Sequence, residues 1–194
     1  MPEESSLQLQ AEETAKVLAE KLIKHSITLS LAESCTAGLV SSLLGNFSGI
    51  SSVLWGTFVC YTQQAKVSML GLDNEKLTAN GLVNKETACD MALGALKKSG
   101  TDLAAAVTGI AGPHGDGSTV PVGTVWIAAC KNGVVTAKEF HFTGSRNEVR
   151  LKAAIAVLEM IDSFVKEYIN TYALAEFCII DFLKNLGDTY HRRD

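Results

Sequence analysis

The stretch from Ile27 to Leu44 changes its hydrophobic period half-way, and that change restricts the chain to few architectures. Ile27, Leu29 and Leu31 alternate with Thr28 and Ser30, the two-residue repeat of a strand. Leu39, Val40, Leu43 and Leu44 recur at helical spacing, with Gly45 as a stop. Between them lies LAESCTAG, Leu31 to Gly38, a strand-to-helix turn that sets a serine, a cysteine and a threonine side by side. A strand that hands over directly to a helix is the building unit of a layered α/β domain.

The rest of the chain repeats this logic. Leu7, Ala11, Ala15, Leu18 and Leu22 predict an amphipathic first helix. VLWGTFVCY (Val53 to Tyr61) reads as a strand, TQQAKVSML before Gly71 as a short helix, and Asn84 as the cap of a helix through Lys98 that ends at Gly100. Leu103 to Thr108 predicts a buried strand opening into the loop Gly109 to Gly123. GTVWIAAC and VVTAKEFHF form a hairpin turned at Gly133. Ser145 and Glu148 make an S-x-x-E capping box ahead of a long helix carrying Val149, Ala153, Ala156, Met160 and Phe164. The expected fold is a single three-layer α/β/α domain over residues 1–170, with a mixed, mostly parallel sheet. Residues 171–194 read as an extra apolar C-terminal helix and tail. Leu174, Phe177, Cys178, Ile180, Phe182 and Leu183 cover most of its circumference, so it is expected to pack on the domain or on another subunit.

Composition narrows the function. A chain of 194 residues, 47% hydrophobic and 20% charged, suits one domain with a sizeable core. A net charge of −4 offers no basic field for nucleic acid, so a small partner is expected. Apolar runs such as Leu103 to Val107 are far short of the roughly 18 residues of a membrane span. The acidic start MPEESS is unlike a signal peptide, which leaves a cytoplasmic protein as the expectation. Five scattered cysteines without a CxxC pair argue against a disulfide framework and against a structural zinc site.

Several chemistries are excluded next. G-x-S-x-G and H-E-x-x-H are both missing. GPHGDGST (Gly112 to Thr119) has phosphate-loop glycine spacing, but Ser118 stands where such a loop needs lysine. His114 with Asp116 reads as a solvated loop pair rather than a cation site. Three strand ends remain: ESCT (Glu33 to Thr36), YTQQAK (Tyr61 to Lys66) and TGIAGP (Thr108 to Pro113). In open α/β sheets ligands collect beyond the carboxyl ends of the strands. Ser34, beside unpaired N–H groups, is a candidate nucleophile, Lys66 the candidate base if burial keeps it neutral, and Tyr61 a candidate relay. The plainer alternatives are a helix cap for Ser34 or Thr36, a solvated lysine and an edge-strand aromatic.

AESCTAG, GTFVCYTQQAK, TGIAGPHG followed by PVGTV, and FTGSRNEVR, in this order, resemble the CinA C-terminal domain family over about residues 8–168. Stand-alone bacterial members of that family are nicotinamide-nucleotide amidases. The resemblance implies a metal-free, cofactor-free serine amidase that converts nicotinamide mononucleotide (NMN) to nicotinic acid mononucleotide and ammonia, and a homo-oligomer, dimer or trimer. By position it places the serine, tyrosine and lysine on Ser34, Tyr61 and Lys66. It further implies oxyanion donors at the N–H groups of Cys35 and Thr36 and a pocket lined by Thr108 and Gly109; for the phosphate of such a substrate, Arg146 and Arg150, beside the capped start of the last long helix, are candidate donors, with surface salt bridging as the equal alternative. The chain departs from the usual pattern at Ala37 (glycine), Asn84 and Thr108 (serine) and Asp116 (glycine), which bears on substrate preference. Competing expectations are a non-catalytic pyridine-nucleotide binder or adaptor on the same fold, and an amidase for another amide.

Overall fold

The two periods of the sequence resolve into alternating elements in a computed structural model, which describes residues 2–190 and, for side chains, 3–169. Helix α1 (Pro2–His25) precedes β1 (Leu29–Glu33), and α2 (Leu39–Gly45) leads through a 3-10 turn at Ile50–Ser52 to β2 (Leu54–Val59). Three helices follow, α3 (Gln63–Leu70), α4 (Asn74–Asn80) and α5 (Lys85–Ser99). Then come β3 (Leu103–Gly109), the hairpin β4 (Thr124–Lys131) and β5 (Val134–His141), and α6 (Arg146–Tyr190).

The sheet order is β2-β1-β3-β4-β5. β1 pairs in parallel with both β2 and β3, while β4 and β5 are antiparallel. Parallel pairing brings the carboxyl ends of β1, β2 and β3 to one edge of the sheet, where ESCT, YTQQAK and TGIAGP begin. The pleat then sorts the side chains. Leu29 and Leu31 of β1, and Leu103, Ala105 and Val107 of β3, face the layer of α1, α2 and α6. Ala32, Ala104 and Ala106 face the layer of α3, α4 and α5, where Ala88, Ala92 and Ala95 of α5 meet them. The expected three-layer α/β/α domain with a mixed sheet is therefore what the chain forms.

Local signals account for most element ends. Asn84 Oδ1 accepts from the Thr87 N–H at 2.8 Å, the cap read from sequence. Ser145 and Glu148 form the reciprocal box, with Ser145 N–H donating to Glu148 Oε2 at 2.6 Å and Glu148 N–H to Ser145 Oγ at 3.3 Å. Two differences stand out. α4 has no counterpart in the sequence pattern, because its seven residues bury only Leu77 and offer no period; Asp73 starts it by accepting from the N–H groups of Glu75 and Lys76. The apolar helix expected over Tyr172 to Gly187 is the continuation of α6, since no glycine or proline interrupts residues 146–186. The packing of its side chains lies outside the described residues.

The α5 face is close-packed against the end of α3. A Cβ added at Gly94 would stand 2.8 Å from the Leu70 carbonyl oxygen and 3.0 Å from Leu70 Cβ. Gly94→Ala would improve helix propensity by about 1 kcal/mol, yet overpacking costs about 1–3 kcal/mol. The expected outcome is a net loss of stability, read as a lower urea midpoint with an unchanged slope.

Candidate active site

Ser34 follows β1, and its position next to Glu33 decides which way each side chain points. Glu33 continues the Leu29–Leu31 face, and Ser34 takes the opposite one, toward the layer that holds α3. On α3 sits Lys66, at 1% exposure among the largest fully buried side chains. Its helix begins where Thr62 Oγ1 accepts the Ala65 N–H. Lys66 Nζ reaches back to the Cys60 carbonyl at 2.8 Å and lies 3.1 Å from Ser34 Oγ. Burial pushes the ammonium below its ordinary range, and no carboxylate is among its hydrogen-bond partners.

The acid next to the serine is otherwise engaged. Glu33, 1% exposed, accepts from the N–H groups of Gly38 (2.9 Å) and Val40 (3.2 Å) on one oxygen and of Ser41 (2.9 Å) on the other. It is therefore the side-chain acceptor for the start of α2. Neither Ser34 nor Thr36 serves as the cap: the N-cap position is Gly38, with no side-chain bond of its own. The buried Thr36 hydroxyl has no partner among the described residues. A local window misses Glu33 because an N-cap is sought immediately before the first helical residue, while this acid reaches the helix from the strand end.

The turn itself is tight. Ala37 N–H donates to the Ser34 carbonyl at 3.0 Å, and Ala37 and Gly38 both take positive φ, 51° and 89°. The N–H groups of Cys35 and Thr36 donate to no carbonyl among the described residues. Cys35 is buried, and desolvation drives its thiol up to about 12, so its sulfur is a packing group.

A cavity of about 620 Å³, counted out to its open mouth, lies at this sheet edge and is lined by Ser34, Cys35, Tyr61, Lys66, Thr108, Gly109 and Arg146, among others. Seven of the nine residues expected at the site thus converge on it. Tyr61 is half exposed and its hydroxyl accepts from Arg146 Nη2 at 2.7 Å, rather than standing between Ser34 and Lys66, which touch directly. Arg146 Nη1 also donates to the Gly112 carbonyl at 2.6 Å. Thr108 donates from Oγ1 to the Leu82 carbonyl at 2.8 Å, which hangs the loop before α5 over the pocket. Gly109 is pressed against β4: a Cβ there would lie 2.7 Å from the Thr124 carbonyl oxygen. His114 and Asp116, read as loop residues, border the cavity as well. Hydrogen bonds from Ser118 hold the Asp116 carboxyl below its usual range.

Two expected residues sit elsewhere. Thr36 does not border the cavity, and Arg150 donates from Nη2 to the Thr36 carbonyl at 2.8 Å. Arg150 thus braces the serine turn from the α6 side, one helical turn along α6 from Arg146.

Comparison with known proteins settles the family. The model of the CinA C-terminal domain matches residues 11–165. The chain belongs to the CinA C-terminal domain family. A CinA-like protein of Geotalea daltonii is 43% identical over 145 residues, covering 75% of this chain and 35% of that protein. One of Kosmotoga olearia is 39% identical over 150 residues, 77% of this chain and 36% of that protein. The chain therefore spans little more than a third of the length of the curated relatives it matches. The crystal structure of the competence/damage inducible protein CihA from Agrobacterium tumefaciens superposes with a TM-score of 0.76 at 40% identity, covering 79% of this chain and 94% of that one. Among the described residues no helix is long and apolar enough to cross a membrane, and no group of three or more His, Cys, Asp or Glu could hold a metal.

Within the CinA turn, Ala37 carries the cost of its conformation. A left-handed residue with a Cβ costs roughly 1–2 kcal/mol, partly offset by the greater unfolded-state entropy of glycine. Ala37→Gly is expected to raise stability by about 0.5–1 kcal/mol, read as a higher thermal midpoint.

Proposed function

We propose that this CinA-family domain is a serine amidase that hydrolyses the carboxamide of nicotinamide mononucleotide, releasing ammonia and nicotinic acid mononucleotide. The observation that carries the proposal is the direct 3.1 Å approach of a buried Lys66 Nζ to Ser34 Oγ. A serine hydroxyl needs a base, and a lysine serves only as the neutral amine. Burial favours that form, and the opposite-face placement of Glu33 removes the acid that would hold the proton on.

In this reading the Ser34 hydroxyl donates to the lone pair of neutral Lys66, and Oγ adds to the carboxamide carbon. Oxyanion charge falls beside the cavity-lining Cys35, whose N–H has no carbonyl partner among the described residues. Collapse breaks the C–N bond, and the Lys66 ammonium returns its proton to the departing nitrogen as ammonia. Water then gives a proton to Lys66 and adds to the acyl-serine ester; the Lys66 ammonium returns that proton to the departing Ser34 Oγ, and the acid product ionises to the carboxylate. Arg146, fixed at the cavity by Gly112 and Tyr61, supplies a guanidinium for the phosphate.

Purified protein is expected to release ammonia from NMN, with turnover that survives EDTA. Ser34→Ala and Lys66→Met are each expected to lower kcat by about 1,000-fold or more while the folded fraction stays high. Full ammonia release by folded Ser34→Ala would rule the nucleophile out. Since the active form is the neutral amine and burial lowers the Lys66 pKa from 10.5, kcat/KM is expected to rise with pH and level off below pH 10.5. A profile that falls across that range would contradict Lys66 as the base.

A further inference from the structure

We infer that Glu33 is a positioning residue for the Ser34–Lys66 pair, holding the serine turn through its carboxylate and the lysine through its main chain. The inference rests on Ser34 being the nucleophile. Three N–H donors from Gly38, Val40 and Ser41 converge on the buried carboxylate, which closes the turn from Ser34 to Gly38 into a ring anchored at both ends by one residue. The Val40 and Ser41 N–H groups donate to no backbone carbonyl among the described residues, so the start of α2 is held by this acid and not by its own ladder.

The same residue acts through its backbone. The Glu33 carbonyl accepts the Cys60 N–H at 2.8 Å, and the Cys60 carbonyl in turn accepts Lys66 Nζ at 2.8 Å. Nucleophile and base therefore share one reference point. Ser34 leaves from its C-terminal side, and the lysine acceptor is bonded to its carbonyl. An ordinary helix cap would stabilise α2 without affecting reactivity, whereas this one also fixes the direction in which Oγ leaves the strand. The charge has a further use: three donors hold the carboxylate on the α2 side of the sheet, away from the lysine, so it adds no ion pair that would keep the base protonated.

The test reads Ser34 reactivity without assuming a substrate, as the rate at which a fluorophosphonate probe labels it, alongside ammonia release from NMN. Glu33→Gln keeps the shape but replaces one acceptor by a donor. In folded Glu33→Gln, labelling rate and kcat are expected to fall about 10- to 100-fold, as for small misplacement of a reacting group, with KM and the pH midpoint of the rate little changed. Ser41→Pro removes one donor to the carboxylate together with the Ser41 Oγ bond to the Gly38 carbonyl; measured against Ser41→Ala, which loses only the latter, it is expected to slow labelling in the same direction to a smaller extent. It also decides the matter if Glu33→Gln does not fold. Wild-type labelling rates in either folded variant would overturn the inference. A wild type that does not label overturns it together with the nucleophile. A wild type that labels but releases no ammonia, with labelling slowed in Glu33→Gln, upholds the inference and sinks only the choice of substrate.

Discussion

The pleat at the end of β1 governs the site. Adjacent residues of a strand face opposite layers, so an acid and a serine that touch in sequence are separated by the thickness of the sheet. Glu33 commits its charge to the N–H groups of α2, and Ser34 meets a lysine that no acid accompanies. Had the register slipped by one residue, the carboxylate would face Lys66 and the serine would face the helix. Lys66 would then be an ion-paired ammonium and the Ser34 hydroxyl a cap, the two inert fates that a local reading of the turn allows.

Parallel pairing supplies the second constraint. β1 lies between β2 and β3, and all three run the same way, so residues 34, 60 and 108 gather at one edge although they are far apart in sequence. The antiparallel β4 and β5 contribute differently. β4 packs so closely on Gly109 that the β3 end stays flush with the sheet, and the loop after it folds back as a wall of the cavity. The small alanine face between the sheet and α5 then carries the loop that Thr108 holds at Leu82.

Much of this is legible in the chain. Period changes mark the elements, the capping box marks the start of α6, and the Asn84 cap is visible because its acceptor lies three residues from its donor. Ser34, Tyr61 and Lys66 stand out as strand-end residues with the right chemistry, and the cavity contains them. The hidden part depends on contacts across long sequence separations or on orientation. Nothing local says that Glu33 turns toward Ser41, that Arg150 reaches the Thr36 carbonyl, or that Ala37 adopts a left-handed backbone instead of opening the helix. α4 escapes for the opposite reason: it is too short to have a period at all.

The first two turns of α6 fasten parts of the site that come from three other places in the chain. Arg146 ties Tyr61 and Gly112 together, and Arg150, on the same side of the helix, holds Thr36. Each residue inserted into a helix rotates the downstream part by about 100°. A single insertion between these arginines would therefore swing one of them off its carbonyl while leaving every side chain in the cavity chemically intact. Spacing along these turns is as much a part of the site as residue identity.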